Sequence, residues 1–400
     1  MIELLSPAGD MEKLKTAINF GADAVYFAGK KFGLRAFAGN FEDDEIVEAV
    51  NFCHERGKKC YVTINIIARN KDFEGLKEYL EFLQSINVDG VIVADIGVAS
   101  FVRKYAPNIE LHISTQANII NKYSAQLMVE LGAKRIVLAR ELTLSEIREI
   151  RECLPKEIEI ECFVHGAMCI SYSGRCLLSN YINGRDSNQG ACVQACRWEY
   201  LITEKSRNGQ KYEIQEDEKG TYILNSKDLC MIEHVRELID AGVNSFKIEG
   251  RMKSPYYVAT VTNAYRRKID AVLNGEKDDF NYLEELQKTS NRKFTTGFYY
   301  PGENKENIDS SMPSQTHDFI AVVLEQTENG ALIEMRNRFR VGEELEVLSP
   351  SDNFNKTIKV ATLTNQKGEE VVDAKNVQEK LYIKTNLELL PGDILRKKHS

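Results

Sequence analysis

Short apolar runs separated by amphipathic segments set the first reading of this chain. β-rich runs recur at Ile2 to Leu5, Ala24 to Ala28, Cys60 to Ile66, Gly90 to Ala94, Leu111 to Ser114, Arg135 to Ala139, Ile158 to Val164 and Ser245 to Ile248. Between them, apolar positions fall at helical spacing over Met11 to Phe20, Asp44 to Arg56, Phe73 to Gln84, Ser124 to Leu131 and Leu144 to Cys153. Gly21, Gly132 and Gly242 each end a helical segment shortly before a strand, where glycine takes a left-handed C-cap. Strands alternating with helices in this way predict an α/β fold, a (β/α)8 TIM-like barrel, with Val258 to Leu273 as a closing helix. A doubly wound open sheet is the structural alternative.

The seventh unit departs from the pattern. After the run ending at Val164, a long polar stretch intervenes before the helical segment Met231 to Ala241. We read residues 165–229 as a cysteine-rich insertion after strand seven, and the barrel as residues 1–275. Barrel enzymes carry their sites at the carboxyl ends of the strands, so this insertion is expected over the catalytic mouth. Residues 276–317 are charged and turn-rich and read as a linker. Residues 318–400 hold short strands between NG, GEE, PSDN and PGD turns and predict a small C-terminal β-barrel domain. That domain carries a basic strip, Arg336, Arg338 and Arg340, interleaved with Phe339. The strip is either a phosphate- and base-binding surface or a solvated strand face.

Charge and composition narrow the function classes. The 400 residues hold 52 basic and 60 acidic side chains, a formal net charge of −8, which disfavours non-specific coating of nucleic acid while leaving a local RNA grip open. The greasiest stretch, Val91 to Val102, is interrupted by Asp95, so no membrane span is expected. The start, MIELLSPAGD, lacks the pattern of a secretory signal, and a cytoplasmic location is the expectation. Nine cysteines, an odd number, suit free, catalytic or metal-binding thiols better than a disulfide framework.

Four of those cysteines, Cys169, Cys176, Cys192 and Cys196, share one Gly-, Ser- and Asn-rich stretch. Four thiolates can hold a tetrahedral zinc or cap a [4Fe–4S] cluster, and the shortage of close knuckle pairs favours the cluster. Cys230 competes with Cys196 for the fourth position, whereas Cys53, Cys60, Cys153 and Cys162 sit in helix or strand patterns and read as packing residues. The three-cysteine pattern of radical-SAM sites is missing, since Glu199 stands where its third thiolate would be.

Polar residues at strand ends add candidates. Arg35, Arg140 and Arg251 lie in three separate βα loops and together suit an anionic small molecule. Asn65 and Gln116 complete the substrate-binding set. Glu161 and His165, four apart on strand seven, are expected on one face, with His165 as acid or base. No GxSxG elbow, HExxH helix, Cys-His-Asn framework or P-loop stands out. Trp198, the single tryptophan, either stacks on a base or seals a metal site.

The segments ELLSPAGDMEKLKTAINFGADAVYFAGKKFGLRAFAGNF, HGAMCISYSGRCLLSNYINGRDSNQGACVQACRWEY and LNSKDLCMIEHVRELIDAGVNSFKIEGRMKSPYYV resemble the family long labelled peptidase U32, over essentially the whole chain. Length, a single cysteine cluster and the C-terminal β-domain resemble the tRNA-hydroxylating branch of that family. The resemblance implies prephenate-dependent hydroxylation at C5 of wobble uridine 34 in the tRNA anticodon loop. It also implies a [4Fe–4S] cluster on Cys169, Cys176, Cys192 and Cys230, the last taken from the NSKDLC motif in place of Cys196. The alternatives are a U32-type peptidase or collagenase, a hydroxylase of 23S rRNA, and a cluster-bearing partner of a paralogous U32 protein.

Overall fold

The computed structural model describes residues 2–33, 39–169, 171–198, 216–217, 220–221, 227–302, 313–328 and 330–399. The chain divides into two compact units, one of residues 1–14, 23–252 and 292–313, the other of residues 15–22, 253–291 and 314–400.

The first unit is the barrel. Strands β1 (Glu3–Pro7), β2 (Ala24–Phe27), β3 (Lys59–Ile64), β4 (Gly90–Val93), β5 (Glu110–Ile113), β6 (Arg135–Val137) and β7 (Glu159–Ala167) pair in parallel in chain order. After the cysteine-rich loop, β8 (Asp228–Cys230) runs antiparallel to the far end of β7 and also pairs with β10 (Phe294–Thr295). Strand β9 (Ser245–Ile248) pairs in parallel with both β7 and β1, which closes the eight-stranded ring and rules out the open sheet. The strands connect through helices α1 (Met11–Asn19), α2 (Asp43–His54), α3 (Leu76–Ser85), α4 (Ile96–Tyr105), α5 (Lys122–Glu130) and α6 (Leu144–Cys153). The loop itself carries the short α7 (Leu178–Asn183), and α8 (Val235–Asp240) precedes β9.

Local sequence explains the ends of these elements. Asp95, which interrupts the greasiest run, caps α4 by accepting the Val98 amide, and Asn121 does the same for α5 through Ser124. Thr143 and Glu146 form a reciprocal capping box on α6. Gly132 and Gly242 end their helices at φ +93° and +84°, a region that side chains with a Cβ avoid.

The amino-terminal half of the barrel interior is charged. Arg135, fully buried at the start of β6, pairs with Glu3 at 2.6 Å and with Glu161 at 3.1 Å, and Lys247 of β9 pairs with Glu161 at 2.6 Å. Tyr61 and Ser245 each donate to Glu3 at 2.7 Å. Burial raises the Glu3 carboxyl, but the Arg135 charge and these hydrogen bonds outweigh it and hold the group at about 2.

The second unit contains the long helix α9 (Pro255–Asn274), capped by Ser254 with Pro255 at its first turn, and α10 (Tyr282–Leu286). The helix expected to close the barrel thus falls in the same unit as the C-terminal strands, and the stretch expected as a linker is divided between the units. A seven-stranded antiparallel sheet follows. It is built from β11 (His317–Thr327), β12 (Gly330–Met335), β13 (Glu344–Leu348), β14 (Thr357–Lys359), β15 (Leu363–Asn365), β16 (Lys380–Lys384) and β17 (Ile394–Lys398), in the order β14-β13-β17-β11-β12-β16-β15. Its core includes Ile320, Val323, Ile333, Met335, Leu345, Val347, Leu381 and Leu395. Arg396, buried in β17, pairs with Glu285 of α10 at 2.7 Å and Glu346 of β13 at 2.6 Å, and Lys288 bridges the same two carboxylates.

The basic strip does not survive as an aromatic–cation surface. Alternation along the strand turns Phe339 inward, where it joins the core, away from the arginine face. Arg338 grips Asp373 through two hydrogen bonds, Arg340 reaches the same carboxylate at 3.3 Å, and Arg336 pairs with Glu334 at 2.9 Å. Among the described residues no helix is long and apolar enough to cross a membrane.

Candidate active site

The loop after β7 lies over the carboxyl ends of the barrel strands and is tied to them at several points. Glu141, following β6, accepts the Ser173 amide at 2.8 Å and also its hydroxyl. Thr115, following β5, sits 3.4 Å from the Ser173 hydroxyl. Beyond β3, the Ile67 amide donates to the Asn188 carbonyl and its carbonyl accepts from Gln189, while Arg69 pairs with Asp186 at 3.5 Å. Gly174 is the tightest approach: it takes φ +72°, and a Cβ there would stand 2.1 Å from the Gln116 carbonyl oxygen. Only glycine lets the loop come this close.

Inside the loop, the polar run NGRDSNQG holds the backbone. Ser187 and Asn188 both donate to the Cys176 carbonyl, at 2.7 and 3.2 Å, and Ser179 bridges the Arg185 carbonyl and the Val193 amide. The Gln194 amide points at Cys192 Sγ, 3.4 Å away. These bonds shape a cavity of about 240 Å³. Its walls include Cys169, Cys176, Cys192 and Cys196 together with Gln116, Arg140, Glu141 and Met252.

The thiols act on one another. Burial pushes the Cys169 thiol up, the Ser171 amide and the Arg140 charge oppose this, and Cys176 and Cys192 push it further up. Among the described residues no three thiols of the loop lie within 4.8 Å of one another. A single zinc, with Zn–S of about 2.3 Å, would draw its sulfurs to within about 4 Å. Among the described residues the loop thiols therefore stand wider apart than one tetrahedral zinc holds its sulfurs.

The expected site residues divide. Gln116 and Arg140 face the thiols. Arg140 donates to the Ala167 carbonyl at 2.7 Å and lies 4.2 Å over the Phe163 ring, which fixes its guanidinium on the cavity wall. Arg251 is buried elsewhere in the barrel, 3.3 Å from the Thr63 hydroxyl, and Asn65, just past β3, is outside the lining. Arg35 lies outside the described residues. Cys230 is buried at the end of β8, opposite His165 in the strand register. Trp198 is partly exposed after the last loop thiol.

Glu161 and His165 do not share a face. The register of β7 against β9 slips between Phe163 and His165, a bulge that breaks two-residue alternation. Glu161 points into the Arg135–Lys247 network at the amino-terminal end of the barrel, far along β7 from the loop. His165 packs its ring 5.6 Å from that of Phe294. Among the described lining residues there is no histidine. Reading the sequence missed Ser173, Ser179, Ser187 and Asn188 as loop holders, although the density of Ser, Asn and Gly around the thiols signalled a backbone that needs side-chain hydrogen bonds.

Comparison with known proteins places this arrangement. The model of peptidase family U32 matches residues 9–309, and that of the peptidase family U32 C-terminal domain matches residues 315–396. A Bacillus subtilis (strain 168) relative named tRNA hydroxylation protein P1 is 41% identical, over 99% of this chain and 94% of its own. A Porphyromonas gingivalis (strain ATCC BAA-308 / W83) relative named collagenase is 34% identical, over 74% of this chain and 73% of its own. An Escherichia coli (strain K12) 23S rRNA 5-hydroxycytidine synthase is 39% identical, over 76% of this chain and 43% of its own. Matched along both its units, the chain belongs to peptidase family U32.

Proposed function

We propose that this protein is an RNA hydroxylase that inserts a hydroxyl at C5 of the wobble uridine of tRNA, with prephenate as co-substrate. The observation that carries the reading is a thiol-lined cavity at the carboxyl ends of a barrel whose near-full-length relative is named for tRNA hydroxylation. Replacing a ring hydrogen by hydroxyl is an oxidation for which protein side chains supply no ready electron acceptor. A [4Fe–4S] cluster held by Cys169, Cys176, Cys192 and Cys230, with Cys196 as the alternative fourth ligand on the cavity wall, would supply the electron transfer.

The chain's own residues supply the rest. Arg140, braced by the Ala167 carbonyl and the Phe163 ring, presents its charge to the cavity and suits a carboxylate of prephenate. Gln116 offers an amide on the same wall, able to donate to or accept from a uracil edge. An anticodon-loop base is single-stranded and enters a pocket without melting a duplex. Glu141 and Thr115, through Ser173, keep the loop seated over the strands while the base is held.

The test is mass spectrometry of tRNA nucleosides from a deletion strain complemented with single variants, beside iron and sulfide counts on the anaerobically purified proteins. Loss of the hydroxylated uridine on deletion, restoration by the native chain, and failure of Cys169→Ser with lowered iron are expected. Comparing Cys230→Ser with Cys196→Ser assigns the fourth ligand. Full modification in the deletion strain, or gelatin cleavage by iron-free protein, would overturn the reading.

A further inference from the structure

A second set of donor side chains lies at the opposite end of the barrel from the thiol-lined cavity. Cys60 is the second residue of β3, Asp89 immediately precedes β4, and His54 is the last residue of α2. They converge where the amino ends of two neighbouring strands meet the carboxyl end of the helix joining β2 to β3. Asp89 Oδ2 is 3.0 Å from His54 Nε2 and 3.6 Å from Cys60 Sγ, and it accepts the Cys60 amide at 2.9 Å. The three ligand atoms all lie within 4.8 Å of one another, a compactness that no other group of His, Cys, Asp and Glu reaches among the described residues. Cys53, one residue before His54, is also buried and sets a second thiol close to that of Cys60.

Packing accounts for Cys53 and Cys60 as buried apolar side chains, and an ion pair accounts for His54 with Asp89. Neither accounts for a thiol, an imidazole and a carboxylate from three separate elements meeting around one small volume. Zinc ligands at about 2.0–2.3 Å in tetrahedral array stand roughly 3.3–3.8 Å apart, close to the separations seen here. A thiolate with an imidazole and one carboxylate selects zinc over the hard cations magnesium and calcium. His54 is exposed and Asp89 half-buried, so an ion has a path from solvent, while Cys60 is buried and anchors the set to the sheet.

We propose that His54, Cys60 and Asp89 form a structural zinc site, with a fourth position beside Cys53. On binding, the Cys60 thiol proton leaves to solvent and a Zn–S bond takes its place, with no change of oxidation state. The ion ties the end of α2 to the starts of β3 and β4. The site is independent of whether the loop thiols hold iron.

The full-length protein, kept under reductant so that Cys53 and Cys60 stay dithiol, is equilibrated with zinc and then with a weak chelator. Zinc and iron per chain are counted in the native chain, His54→Ala, Asp89→Asn and Cys60→Ser. The native chain should retain one zinc that each variant loses, with iron and far-ultraviolet circular dichroism unchanged. The loss in affinity should exceed the roughly 10- to 100-fold seen when a partner outside the coordination sphere is removed. Cobalt in place of zinc should show a thiolate charge-transfer band that is absent in Cys60→Ser. His54 is at the surface, so His54→Ala keeps the fold and decides the matter if Cys60→Ser does not fold. Equal zinc content and affinity in the native chain and His54→Ala would refute the site.

Discussion

At Gly174 a single methyl group has nowhere to go, because the Gln116 carbonyl oxygen already occupies the space and φ is +72°. Gly174→Ala should lift the loop from the strand ends, and iron per chain should fall by more than about half while far-ultraviolet circular dichroism stays native. Undiminished iron would show that this close approach is dispensable. Arg135 poses the opposite problem, a buried cation whose removal strands the carboxylates around it. Arg135→Met should cost about 3–5 kcal/mol in urea denaturation, since Glu3 and Glu161 then stay buried with less compensation. Glu3 titrates at about 2 in the folded chain against an ordinary 4.5, so its contribution is complete above pH 4.5 and drains away as pH falls toward 2. A Glu3→Gln variant should lack that part of the acid limb when melting midpoints are followed against pH.

Elements show where a linear pattern is enough and where it fails. The run EIECF that opens β7 alternates cleanly, and its charged positions Glu159 and Glu161 both meet Arg135, with Lys247 also on Glu161. Alternation also sends Phe339 into the core and Arg338 and Arg340 outward, which a reading that pooled them as one strip overlooked. The bulge near Val164 was not legible, because one extra residue is set by the pairing of β7 with β9, whose partner residues lie about 80 positions downstream. The same holds for His54, Cys60 and Asp89: each looks ordinary in its own helix or strand, and only the closed ring of strands makes them neighbours. Glycine caps and capping boxes, by contrast, are local, and Gly132, Gly242, Thr143 and Glu146 sit where their neighbours require.

For the whole molecule, strand and helix periodicity sufficed for the barrel, because β/α repetition has few ways to close. Periodicity alone does not say which unit α9 falls in, since an amphipathic helix advertises a buried face and not which partner buries it. The second unit carries its own pH signature. Burial holds His317 down to about 4, with Arg396 and Lys288 working in the same direction against Glu346 and Glu285. Its folded value lies below the ordinary 6.5, so its contribution is complete above pH 6.5 and fades as pH drops toward 4. Calorimetry of the full chain between these limits should show a falling transition that His317→Gln flattens.

Synthesis on the ribosome gives the order of β7, loop and β9 a temporal meaning. The strand that seals the ring is made only after residues 168–244, a stretch that takes several seconds at about 5–20 residues per second. The nascent chain therefore presents its loop thiols beside a sheet that still lacks its final edge partner. On the cluster proposed above, a factor delivering iron during translation would meet them in an unsealed cradle, before the ring closes.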